Sequence, residues 1–204
     1  MVKSYAIIGA NYGDEGKGLV TNHICKIESS NNKVLNILTN GGCQRGHTAY
    51  INNKIRHIYS HFGSGYPHAD IYFSKFYMVN PMVFFDEYNV LKDKLSKMNT
   101  IYIDNECTIT TPYDMLINRF IENRRTDRHG SCGYGIWETV SRNKIRPIYW
   151  KNLIGLNLFE LINSLRILRD TYFENRLKLY NITLTAEEYN LFYSDQIHYL
   201  QKSC

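Results

Sequence analysis

Residues 9–18, G-A-N-Y-G-D-E-G-K-G, constrain this chain more than any other stretch. An apolar run, Ser4-Tyr5-Ala6-Ile7-Ile8, precedes them, and residues 19–28 carry apolar side chains at roughly helical spacing, so the local reading is strand, glycine-rich turn, helix. Glycine lets the backbone approach a bound group closely. The first N–H groups of a helix have no internal partner, so such a turn draws an anion such as phosphate. Lys17 adds a positive charge there. A Walker A loop would need glycine where Asn11 stands and a hydroxyl residue where Gly18 stands, and G-x-G-x-x-G is absent as well. The acidic pair Asp14-Glu15 sets this turn apart. A carboxylate among phosphates repels them unless a metal cation intervenes or the carboxylate has a chemical task, so Asp14 is a magnesium ligand, a general base, or both. The plain structural reading is a solvated turn of mixed charge; the apolar run before it argues against that.

A second glycine-rich loop follows a second apolar run. Residues 34–38 read as a strand and lead into T-N-G-G-C-Q-R-G-H-T, residues 39–48, and strand ends of this kind are where ligands bind in open parallel sheets. His47, between Gly46 and Thr48, is placed to reach the first loop. Residues 49–56 read as a hairpin turning at Asn52-Asn53. His57, His61 and His68 lie in a stretch rich in Gly, Ser and Pro and are taken as ordinary loop histidines, because cysteine and carboxylate ligands are absent nearby.

Further on, residues 71–73 and 76–79 suit strand or core. Asn80-Pro81 announces a helix over residues 82–97, residues 100–103 form a strand, and residues 114–123 form a helix. Strands alternating with helices imply a mainly parallel sheet. The expected fold is therefore α/β, a mainly parallel central sheet flanked by helices, with a helical C-terminal part. A third glycine-rich loop occupies residues 130–135. Ser131 and Cys132 stand among its glycines, with Arg124, Arg125, Arg128 and Arg142 around it, a composition that can wrap a phosphate monoester or serve as a plain surface loop. No base stands beside Cys132 to make it a nucleophile. Leu161, Leu165, Leu168 and Tyr172 mark an amphipathic helix, and T-A-E-E at residues 185–188 has the form of a capping box before a helix reaching Leu200. The organisation expected is one domain over residues 1–204, with a core at 1–150 that carries the three glycine-rich loops and a helical extension at 151–204.

At 44% hydrophobic and 21% charged residues, the chain has the composition of a soluble globular protein. Its net charge of +5 is scattered, with no stripe suited to nucleic acid. Five cysteines without a C-x-x-C pair argue against both a disulfide framework and a zinc ribbon. No signal-like segment or membrane-length apolar run is evident, so the expected location is cytoplasmic.

Taken together, the three loops resemble those of the adenylosuccinate synthetase family, which implies a P-loop NTPase-like fold with its nucleotide-binding core at residues 1–150. The family's G-D-E-G-K-G corresponds to residues 13–18, its G-G-x-N-A-G-H-T to residues 41–48, and its I-N-G hairpin turn to Ile51-Asn52-Asn53. Its S-P helix start corresponds to Asn80-Pro81 and its T-T-G-R-G-I-G loop to residues 131–136, with the same order over about the first 150 residues. The resemblance implies ligation of aspartate to a 6-oxopurine nucleotide such as IMP in purine biosynthesis, driven by GTP (or ATP or dATP) with Mg²⁺, in a homodimer. By the same resemblance Asp14 takes a proton from purine N1 and ligates Mg²⁺ together with the Gly46 carbonyl, and His47 stabilises the charge at O6. Gly13, Glu15, Gly16, Lys17, Gly18 and Thr48 surround the triphosphate. Gln44, Ser131 and Cys132 take the monophosphate, and Arg142 corresponds to an arginine lent across the dimer. Cys132 for threonine and Arg45 for alanine depart from the pattern, as does the segment Trp137-Glu138-Thr139-Val140. No T-K-x-D guanine motif or arginine-rich T-G-R-x-R-R loop is present. These departures leave two alternatives: a phage-type relative that uses dGMP, or a nucleotide-binding module that does not complete ligation.

Overall fold

A computed structural model describes residues 2–127 and 130–203; within its last helix, side chains beyond Phe192 are described only for Ser194, Gln196 and His198. Three parallel strands form the central sheet in the order β1 (Leu35–Leu38), β4 (Asp70–Phe73), β6 (Ile101–Ile103), with Leu35 opposite Asp70 and Ile71 opposite Ile101. Between β1 and β4 the chain makes the expected hairpin, β2 (His47–Ile51) with β3 (Ile55–Tyr59). Asn52 and Asn53 turn it at φ 51° and 60°, the left-handed pair that a two-residue hairpin loop requires. A short parallel pair, β5 (Met78–Val79) and β7 (Thr108–Ile109), continues beyond the sheet.

Helix α2 (Pro81–Lys94) crosses from β5 towards β6. Asn80 caps it through Oδ1, which accepts from the N–H groups of Met82 and Val83, and Pro81 occupies the first turn, where no N–H is needed. Helix α3 (Pro112–Arg124) starts with a reciprocal capping box between Thr111 and Asp114. Helices α4 (Ile136–Asn143), α5 (Leu158–Leu168), α6 (Glu174–Leu179) and α7 (Ala186–Ser203) complete the chain; Thr185 caps α7 by exchanging bonds with Glu188, as the sequence suggests. Among the described residues no helix is long and apolar enough to cross a membrane.

One continuous core runs from Leu38 to Phe192. Beneath the sheet it is aromatic: Phe62, Tyr66, Phe73 and Tyr77 are fully buried, with Phe62 stacked on Phe84 at 5.1 Å. Burying each such ring contributes roughly 2–3 kcal/mol. His57 lies on β3 and not in a loop, which corrects its reading from sequence, whereas His61 and His68 do lie in the connection to β4, His61 fully buried there. The carboxylate of Glu87 accepts from the N–H groups of Ser60, His61 and Phe62 and meets His57 Nε2 at 3.2 Å, so a buried charge is spent on straightening this corner of the chain. His61 Nε2 accepts from the N–H of Asn80 and so ties the same corner to the start of α2.

The first predicted strand does not form. Residues 4–8 have no regular structure and pair with no strand; Ile8 is 87% exposed. Polar contacts of Lys3 and Tyr5 with Glu28 hold the segment along the end of α1 (Lys17–Glu28) instead.

A candidate nucleotide site where three loops meet

Helix α1 begins immediately after the first loop, with Gly16 as its N-cap in the left-handed region at φ 79°. Ser64 and Asn22 anchor its first turns: Ser64 Oγ donates to the Gly18 carbonyl at 2.6 Å, and Asn22 Nδ2 donates to the Ser64 carbonyl at 2.8 Å. Against this fixed helix start lies the first residue of β2, His47. A Cβ on Gly18 would stand 2.5 Å from the Cβ of His47 and 2.8 Å from its ring, so glycine at 18 is what lets the imidazole sit directly on the first loop. Burial, joined by the charges of Arg45 and Lys17, pushes His47 below the usual histidine value and keeps it neutral at neutral pH. A neutral imidazole can donate one hydrogen bond without adding charge.

The second loop also touches the third. A Cβ on Gly42 would meet Ile136 Cδ1 at 2.8 Å, and Cys132 Sγ lies 3.9 Å from the Gln44 carbonyl oxygen. All three glycine-rich loops thus converge: the first on the second through Gly18 and His47, the second on the third through Gly42, Gln44, Cys132 and Ile136. Gln44 Oε1 accepts from the Gly42 N–H at 2.9 Å and so braces its own loop. Gly46 and Thr48 flank His47 and are exposed. Arg45 donates to the carbonyls of Ser60 and His61 and lies over the ring of Tyr77, so its guanidinium ties the second loop to the chain after β3.

Within the first loop Asp14 is exposed and takes φ 57°, a left-handed conformation that an aspartate adopts more readily than most residues. Glu15 folds back to Lys17 and to the Asn11 N–H, and these two, Lys17 foremost, hold its carboxyl below the usual range. Gly13 stands at φ 132° with open space around it.

Arg142 lies elsewhere than the sequence suggests. It is fully buried, with Nε 3.0 Å from both carboxylate oxygens of Asp114, Nη1 donating to the Arg146 carbonyl and Nη2 to that of Ile109. Each of the three guanidinium nitrogens bonds within the chain and the side chain has no exposed surface, so in this fold it presents no face to a partner's phosphate. Arg128 lies outside the described residues. Glu138, in the segment that departs from the family pattern, is buried too: it accepts from Arg176 Nε at 2.6 Å and Nη2 at 2.8 Å and from the Tyr172 hydroxyl, fastening the C-terminal helices to α4. Burial pushes the thiols of Cys25, Cys43 and Cys107 up to about 11, 12 and 12, leaving Cys132 the exposed thiol among those described.

Sequence reasoning missed Asn118 and Glu122. Asn118 Oδ1 accepts from Ser131 Oγ at 2.9 Å and from the Gly135 N–H at 3.3 Å. Glu122 Oε1 accepts from the N–H groups of Gly130 at 2.9 Å and Ser131 at 3.3 Å. Their spacing of one helical turn, on a helix that runs straight into a glycine-rich loop, was the available signal.

The adenylosuccinate synthetase family profile matches residues 6–199, nearly the whole chain. The chain belongs to the adenylosuccinate synthetase family. The enzyme named adenylosuccinate synthetase from Halothermothrix orenii is 26% identical over 176 residues, which cover 85% of this chain but 37% of that one. The fully ligated adenylosuccinate synthetase of Plasmodium falciparum shares the fold at a TM-score of 0.67 and 24% identity, over 95% of this chain and 44% of its own. Cyanophage S-2L succinoaminodeoxyadenylate synthetase, solved with dGMP and dATP, shares it at 0.52 and 15% identity, over 80% and 41%. This family member therefore spans less than half the length of the relatives it matches.

Proposed function

We propose that this chain binds a 6-oxopurine nucleoside monophosphate, IMP first, beside a nucleoside triphosphate, GTP first, and activates the purine O6 for displacement by the amine of aspartate. The observation that carries this reading is the seat of His47 on Gly18, which puts one imidazole between the loop suited to a triphosphate and the loop leading to Ser131 and Cys132. Oxygen is a poor leaving group until phosphorylated, and phosphoryl transfer depends on positioning and charge neutralisation more than on covalent help.

In this proposal the amides of Gly16 and Gly18 with Lys17 hold triphosphate oxygens, alongside Gly13, Glu15 and Thr48. Neutral His47 donates to O6, which carries the negative charge left by loss of the N1 proton, while O6 accepts the phosphoryl group. Asp14 takes the proton from purine N1, and Gln44, Ser131 and Cys132 face the monophosphate. Asp14 and the Gly46 carbonyl are exposed hard oxygen donors, the kind Mg²⁺ takes, and would hold it. Bound there, Mg²⁺ would neutralise charge on the triphosphate oxygens. Arg142 is left out because its guanidinium is already spent on Asp114. A homodimer belongs to the same proposal, and sedimentation of the purified protein tests it.

The deciding experiment incubates the protein with Mg²⁺, aspartate, GTP or ATP, and IMP or dGMP, and searches by mass spectrometry for the succinylated nucleotide. Product from IMP supports this reading, and product from dGMP alone replaces it with the phage-type chemistry. Monophosphate binding without product from any pair reduces the activity to that of a nucleotide-binding module.

A further inference from the structure

The third loop already holds an anion, and the chain itself supplies it. Two neighbouring N–H groups, those of Gly130 and Ser131, converge on Oε1 of Glu122, with Gly130 at φ 71°. Successive amides aimed at one point in this way form a nest that suits a negatively charged oxygen. The Ser131 hydroxyl, which a phosphate would also need, is meanwhile donated to Asn118. The first loop repeats the arrangement independently: Glu15 sits on Lys17 and on the Asn11 N–H.

We propose that Glu122 is an internal competitor for the monophosphate, a carboxylate that fills the phosphate seat of the third loop and must leave before a phosphate monoester can bind. This inference rests on the assignment of the Ser131 loop to the monophosphate. A departing carboxylate has somewhere to go, since its other oxygen, Oε2, already lies 3.8 Å from Arg125 Nη1. Once displaced it remains near the arriving dianion and repels it. Glu122 therefore weakens phosphate binding twice, by holding the amides in the empty state and by its charge in the bound state. The opposite role, a brace that keeps the loop in its binding shape, predicts the opposite sign.

The test uses the full chain and two variants, Glu122→Gln and Glu122→Ala, titrated with inorganic phosphate and separately with IMP. Binding is followed by calorimetry and by the amide resonances of Gly130 and Ser131. Removing one competing charge-assisted contact should tighten phosphate and IMP binding about tenfold in both variants. The two amides should shift on phosphate addition, saturating at lower phosphate in the variants. Affinity unchanged or weakened in both variants, or amide resonances that ignore phosphate in every protein, would overturn the proposal. IMP that binds no better than inorganic phosphate, in parent and variants alike, would defeat the nucleotide assignment, while the phosphate titration still judges Glu122.

Discussion

Replacing Arg142 by methionine separates the two roles the sequence and the structure give it. The side chain is wholly buried, and it donates to both oxygens of Asp114 and to two main-chain carbonyls, those of Ile109 and Arg146. Methionine fills similar volume but donates nothing. Among the described residues, Asp114, also fully buried, would keep the Thr111 N–H and hydroxyl as partners. Breaking a buried ion pair by removing one partner costs about 3–5 kcal/mol, a large part of the roughly 5–15 kcal/mol that holds a domain together. Urea unfolding followed by circular dichroism should show that loss as a much lower midpoint. Because Arg142→Met alone can fall below the folding threshold, Arg142→Met with Asp114→Asn is the second arm. Neutralising the stranded carboxylate should bring stability back to within about 2 kcal/mol of the parent. An unchanged midpoint in Arg142→Met, together with weakened binding of IMP, would refute the structural role and return the guanidinium to a phosphate.

Three other outcomes test the site and its surroundings. Gly18→Ala gains helix propensity worth about 1 kcal/mol, yet its methyl must move His47 by about 1 Å to reach ordinary contact, so turnover should fall by about 10²-fold while urea stability changes little. Unaltered turnover would show that the imidazole's seat does not matter. Asp14→Asn should abolish formation of the succinylated product while IMP affinity by calorimetry stays nearly intact; equal activity would remove Asp14 from the mechanism. Burial holds His61 well below the ordinary 6.5, and His47 and His68 below it to a lesser degree. The unfolded chain therefore binds more protons than the folded one at mildly acid pH, so the stability due to neutral histidine is fully present above about 6.5 and is lost as pH falls below it. Urea midpoints measured from pH 7 to 5 should fall, and fall less steeply in His61→Gln; a flat profile in the parent would contradict this account.

Much of the fold was legible because local rules and tertiary context agree there. Asn80-Pro81 starts a helix for reasons contained within four residues, and Asn52-Asn53 turns a hairpin by its own backbone preference, whereas the Thr111-Pro112 start of α3, two residues before the expected one, was overlooked. The failure at residues 4–8 is of another kind. An apolar run becomes a strand only when a neighbour offers its edge, and that neighbour is a non-local fact which periodicity does not contain. His57 and His61 misled for a related reason. The Gly- and Ser-rich stretch that follows made both look like surface loop, but His57 lies on β3, and Glu87, far along the chain on α2, meets its ring and holds the bend at His61 in the core.

At the candidate site the motifs gave the attractive groups and left out what holds them when no ligand is present. Glycines and a lysine that would cradle phosphate also attract any carboxylate within reach. Glu15, two residues from Lys17, and Glu122, one turn from the end of α3, are within reach. Sequence placed Glu15 among the ligand contacts because it sits inside the motif. It had no reason to single out Glu122, whose importance depends on where the third loop lands. The same non-locality explains Arg142. The family resemblance offered it to a phosphate, but α4 begins at Ile136 and carries the side chain inward onto the buried carboxylate of Asp114. An arginine near a phosphate loop is thus evidence of phosphate binding only after the buried carboxylates around it have been paired.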